Sequence, residues 1–142
     1  MSHSLDAVIL LCTNPGNQLK YTRIFNELGL YRLTLCSDVG EAKRCVMDGA
    51  DFEYFVYDDF NYGIASCEDL LQLHNSARYF ILTLSDVESA EFEVLHWARS
   101  SKLRLLGLLP RPITAAGVDR MLARRERWAK NGRRQELQCH DA

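Results

Sequence analysis

Apolar runs of strand length recur along the chain at 7–11, 31–35, 54–57, 79–82 and 103–109. Between them lie segments whose apolar residues fall at helical spacing. The first begins near Pro15, tolerated in a first turn, and carries Leu19, Ile24, Phe25 and Leu28 before Gly29 stops it. A second starts with Asp38 as N-cap and carries Ala42, Cys45 and Val46 up to Gly49. A third covers 67–74, with Leu70, Leu71 and Leu73 as its apolar side. The fourth follows Ser85 and Asp86 and carries Val87, Phe92, Leu95 and Ala98, the last three as an inward stripe, and the fifth begins at Thr114 with Val118, Met121 and Leu122. Strands separated by amphipathic helices predict a parallel sheet covered on both faces, with right-handed crossovers. Five β-α units without a glycine-rich first turn favour a doubly wound α/β fold of strand order 2-1-3-4-5, with the first and third strands side by side.

A chain of 142 residues is long enough for one self-sufficient domain. The five cysteines, Cys12, Cys36, Cys45, Cys67 and Cys139, contain no Cys-x-x-Cys pair and are odd in number, suggesting neither a zinc site nor a disulfide framework. That composition suits a reducing, cytoplasmic setting. Residues 1–6 lack the charged and apolar regions of a secretory leader, and no apolar stretch approaches the roughly 20 residues that span a bilayer. The reading is of a soluble, unexported protein with no membrane partner. Net charge is only −2, but its distribution is uneven. From Thr114 onward seven Arg or Lys face four acids, so the tail is basic and the rest acidic.

The run Tyr54-Phe55-Val56-Tyr57 ends in Asp58-Asp59, where open α/β sheets place ligands and chemistry, beyond the carboxyl ends of the strands. Taken alone, two acids after a strand are as readily turn formers. Thr83 at the end of the fourth strand and Arg111-Pro112-Ile113 after the fifth complete a pattern. Together these residues resemble the receiver domain of two-component response regulators, over about residues 6–124. The stretch 103–112 is nearest to receivers linked to cyclic-di-GMP phosphodiesterases. The resemblance implies a flavodoxin-like receiver domain over 1–124, followed by a basic helix extension and tail over 125–142. It implies Asp58 as phosphoacceptor position, with Thr83 and Arg111 at the hydroxyl and cation positions that contact the phosphoryl group.

Where the family carries an acidic pair at the end of the first strand, this chain has Cys12 and Thr13. A thiol is a poor Mg²⁺ ligand and a hydroxyl brings no charge, so Asp58 as principal acid predicts weak Mg²⁺ binding at most and no resident cofactor. Asp59 offers a second carboxylate from the same loop. Arg111 replaces a compact ammonium with a planar fork suited to a carboxylate, which predicts an Arg111–Asp58 ion pair. Leu84 is expected to narrow access to the site. Leu108 stands at the switch-aromatic position, so Thr83 has no ring to draw inward.

The expected function is signal transduction by protein-protein contact, as an atypical receiver with impaired or absent phosphorylation and no enzymatic role. Its partners would be a histidine kinase, a phosphotransfer protein or an effector enzyme, and a homodimer is a further expectation. The interface candidates are Trp97, His96 and Arg120, within 87–124. For Trp97, core packing is the competing reading. Cys12 reads as a small hydrophobe more than as a redox sensor. Two alternatives remain: a phosphorylatable single-domain response regulator with Asp58 as acceptor, and nucleic-acid binding through the basic tail, which is disfavoured because no recognition fold accompanies it.

Overall fold

The structure is a computed structural model that describes residues 6–49, 51–84, 87–125 and 127. The basic tail beyond 127 with Trp128 and Cys139, the N-terminal residues 1–5, the Ser85-Asp86 turn and the side chain of Val87 lie outside the described residues.

The elements run β1 (Ala7–Leu11), α1 (Pro15–Glu27), β2 (Arg32–Cys36), α2 (Val39–Met47), β3 (Phe52–Phe60), α3 (Ile64–Gln72), β4 (Ala77–Leu84), α4 (Val87–Ser100) and β5 (Leu105–Leu108). A last helix, α5, covers 115–125. All strand pairs are parallel, in the order β2-β1-β3-β4-β5. The predicted architecture is therefore the observed one. Its local signals also hold: Asn14 caps α1 by accepting from the Asn17 amide at 3.1 Å with Pro15 next in line, Asp38 caps α2 by accepting from Glu41 at 2.8 Å, and Gly29 takes φ 84° after α1.

Two apolar layers flank the sheet. Ile9, Leu11, Phe55, Phe80, Leu82 and Leu84 face α2, α3 and α4. Val8, Leu10, Cys12, Tyr54, Val56, Tyr79 and Ile81 face α1 and α5 through Tyr21, Ile24, Phe25, Val118, Met121 and Leu122. The split follows the two-residue period of a strand. At the amino ends of β1 and β3, Arg125 of α5 reaches Asp6 at 2.8 Å, Glu53 at 3.5 Å and the Tyr54 hydroxyl at 2.9 Å. One helix end is thereby tied to two strand starts.

Three sequence expectations change. The third strand does not stop at Tyr57 but continues through Asp58-Asp59 to Phe60, with a register shift against β4 between Tyr57 and Phe60. Asp59 takes φ 61°, a left-handed conformation that Asp tolerates better than most residues. The bulge flips the alternation, so Phe60 joins the α4 side although Tyr54 and Val56 face α1. On α4 the inward residues are Val94 and Ala98, with Ala90 and Trp97 packed against them, while Phe92 is 77% and Leu95 42% exposed. Likewise α1 turns Leu19 outward and Tyr21 inward. Both errors share a cause: helical spacing fixes a stripe's period, but a stripe of mixed polarity leaves its phase ambiguous.

Candidate functional site

The site lies at the carboxyl ends of β1, β3 and β4, on the face covered by α1. Asp58 is held there by strand parity: it follows Tyr54 and Val56 on the α1 side, as Thr83 follows Tyr79 and Ile81 on β4. α1 starts beside this edge, so its first two inward positions, Asn17 and Tyr21, overhang the carboxylate. Asp58 is only 7% exposed, and burial of a carboxylate demands hydrogen-bond donors.

Four neutral groups supply them. Oδ1 accepts from the Tyr21 hydroxyl at 2.7 Å and from Thr83 Oγ1 at 2.9 Å. Oδ2 has longer contacts, 3.5 Å each, to Cys12 Sγ and Asn17 Nδ2. The Thr83 hydroxyl in turn accepts from the Asp59 amide at 2.7 Å, so its single proton and a lone pair are both committed. Among the described residues no buried side-chain nitrogen or oxygen lacks a partner. Burial, and next the neighbouring Asp58 charge, push the Tyr21 hydroxyl above its ordinary range and the Cys12 thiol up to about 11. Tyr21 therefore stays a donor and Cys12 stays an unreactive thiol at neutral pH, in line with the packing reading of Cys12.

The predicted Arg111–Asp58 pair is not formed. Arg111 Nη2 instead donates to Asp59 Oδ1 at 2.8 Å, with both side chains about half exposed. Strand parity keeps the Asp58 carboxylate in the α1 layer, and the bulge at Asp59 presents that second acid to solvent, where a fork arriving from beyond β5 can reach it. Nor does Leu84 cover the site. It is buried on the opposite face with Phe60 and Val94, because it is one residue out of phase with Thr83. Leu108 is half-buried on that same α4 side.

The receiver-type arrangement implies a Mg²⁺ ion at this edge, and the donors do not fit one. Cys12 offers sulfur to a cation that demands oxygen, and the Thr13 hydroxyl is turned to donate to the Ser37 carbonyl at 3.2 Å. Asp59 is drawn to Arg111. Among the described residues no three His, Cys, Asp or Glu side chains cluster as a metal site would require.

Asp58, Thr83 and Cys12 meet here as their positions at the strand ends predict, and Tyr21 and Asn17 of α1 join them without having been expected. The signal was present: positions 17, 21, 24, 25 and 28 form an i, i+4, i+7, i+8, i+11 stripe. Of the interface candidates, Trp97 is half-buried, with its ring stacked on Phe60 at 6.1 Å and edge-on to Tyr62 at 6.4 Å. His96 is exposed and stacks on Phe92 at 6.4 Å, and Arg120 is exposed on α5. These three do not meet the Asp58 pocket.

No family model matches the chain, and no curated protein matches it. Among solved structures it is similar to a pilus assembly-related protein from Burkholderia pseudomallei, at TM-score 0.66 and 20% identity, covering 87% of this chain and 91% of that one. It is also similar to the signal receiver domain of an HD domain-containing protein from Pseudomonas fluorescens, at TM-score 0.62 and 12% identity, covering 83% and 91%. At these identities the likeness is one of fold. With the strand order 2-1-3-4-5, it gives the fold: flavodoxin-like α/β, shared with that signal receiver domain.

Proposed function

We propose that this chain is a signal-transduction module, a receiver-like domain with impaired phosphorylation that acts through protein-protein contact. The observation that carries the reading is the closed ring of neutral donors on Asp58. A phosphoryl group needs the Thr83 hydroxyl and a metal to neutralise its oxygens. Here Thr83 and Tyr21 already occupy Oδ1, and Cys12 stands where a metal-binding acid would be needed. The arrangement supports one fixed state rather than a switch. Signal then leaves through a surface, and Phe92, Leu95 and His96 on α4 with Arg120 on α5 are the exposed groups suited to a signalling protein or a second copy.

A second reading, a phosphorylatable regulator, is favoured by Oδ2, whose two contacts are long. One assay separates them. Incubation with acetyl phosphate and Mg²⁺ is expected to leave Asp58 unlabelled by intact mass and to give no Mg²⁺-dependent change in thermal midpoint. Acyl-phosphate at Asp58 would overturn the first reading and establish the second.

A further inference from the structure

We infer that Cys36 and Cys45 form an oxidisable dithiol that closes to a disulfide when a peroxide is the oxidant. The two sulfurs are 3.9 Å apart, in hydrogen-bonding contact between the last residue of β2 and the seventh residue of α2. Neither thiol is in a disulfide. Closing to the bond length of about 2.05 Å asks for an approach of roughly 2 Å, and among the described residues edge strand β2 has a sheet neighbour on one side alone. This inference goes beyond the signalling reading and does not depend on it.

The two cysteines have different parts. Cys45 is half-buried and the more exposed of the two, whereas Cys36 is 1% exposed and its thiol is pushed up to about 12, by burial first and by its bond to Cys45 next. Cys45 is therefore the attacking group. Its thiolate attacks one oxygen of hydrogen peroxide, the O–O bond breaks, and a sulfenic acid forms as hydroxide leaves. Cys36 sulfur then attacks the Cys45 sulfur, the S–O bond breaks, and the departing hydroxide takes the Cys36 proton as water. Two thiols and one peroxide become one disulfide and two waters.

The pair is wired to the Asp58 pocket through the backbone. The Cys36 carbonyl accepts from the Cys12 amide at 2.9 Å, and the neighbouring Ser37 carbonyl accepts from the Thr13 hydroxyl at 3.2 Å. A disulfide that draws Cys36 toward α2 pulls on the residues that wall Asp58.

The test uses the reduced full chain treated with hydrogen peroxide, alkylated, and mapped as tryptic peptides. Cleavage after Lys43 and Arg44 places Cys36 and Cys45 on separate peptides. The expected product joins them with loss of two hydrogens and is reversed by a thiol reductant. Cys67 shares the Cys45 peptide, so Cys45→Ser, at a half-buried position, is expected to abolish the product while leaving the far-ultraviolet circular dichroism unchanged. Backbone amide resonances of Cys12 and Thr13 should shift on oxidation of the native chain and stay fixed in Cys45→Ser. Recovery of Cys36 and Cys45 as free, alkylated thiols after peroxide has oxidised Cys139, or a cross-link that survives Cys45→Ser, would overturn the dithiol. Unmoved Cys12 and Thr13 amides would overturn its coupling to the pocket.

Discussion

A buried carboxylate is tolerable only in so far as donors replace its water, and at Asp58 the shortest replacement comes from Tyr21. Tyr21→Phe keeps the ring and its stacking with Phe25 but removes that donor, leaving Oδ1 with Thr83 alone. The expected cost is about 1–3 kcal/mol, read as a lower urea midpoint with unchanged slope. Arg111→Ala should behave differently. Its pair with Asp59 is about half exposed on both sides, so its loss should cost no more than about 1 kcal/mol and should not reach Asp58. If Arg111→Ala proved as destabilising as Tyr21→Phe, the division between a buried neutral ring of donors and an exposed ion pair would be wrong. The sequence pointed to the acid and its threonine because both sit at strand ends, where position alone is informative. It misassigned the guanidinium because the two aspartates are adjacent, and only the bulge decides which of them faces solvent.

At the scale of elements, the signals that proved readable were those written in single residues with one conformational consequence. Asp38 is one: its side chain accepts the Glu41 amide, and Glu41 Oε2 accepts from the Ser37 amide in return. Asp38→Ala removes the start of α2 and should cost about 1 kcal/mol in denaturant unfolding, with the loss concentrated in faster amide exchange along 39–47. Uniform exchange across the sheet instead would mean that α2 does not open on its own. Less readable were properties that depend on how two elements meet. The spacing predicts Phe92 and Leu95 on the inward face of α4, yet Val94 and Ala98 fill the space, because small residues allow close approach over β4 and β5 while the Trp97 ring stacks on Phe60. The third helix starts at Ile64, three residues before Cys67, since Gly63 supplies an extended entry without any side-chain cap for the sequence to advertise. Strand order, by contrast, followed from the count and polarity of the units.

The whole molecule keeps ionisable but neutral groups on both sides of its sheet, and this gives the domain a definite alkaline limit. Cys36 lies in the layer under α2 and α4, and Cys12, Tyr21 and Tyr54 lie in the layer under α1 and α5. Burial is the largest cause in every case: it lifts the thiols from 9.0 to about 11 at Cys12 and about 12 at Cys36, lifts Tyr54 from 10.0 to about 12 against the opposing pull of Arg125, and lifts Tyr21 further. Below about pH 8 these groups are protonated in both the folded and unfolded chain, so stability does not change on their account. As pH rises past about 8, the unfolded chain releases thiol protons and then, past about 9, phenol protons that the folded chain still holds. The unfolded state then binds fewer protons, and unfolding free energy falls with pH, by about 1.4 kcal/mol per pH unit for each group fully released on one side only. Thermal midpoints taken in the presence of a reductant should therefore be level from pH 7 to about 8 and decline with growing steepness from there to 12. Tyr21→Phe should start lower but decline less steeply above pH 10, because one of the buried groups no longer titrates. A parallel decline in both proteins would place the Tyr21 hydroxyl in contact with water and take away the buried donor on which the Asp58 site depends.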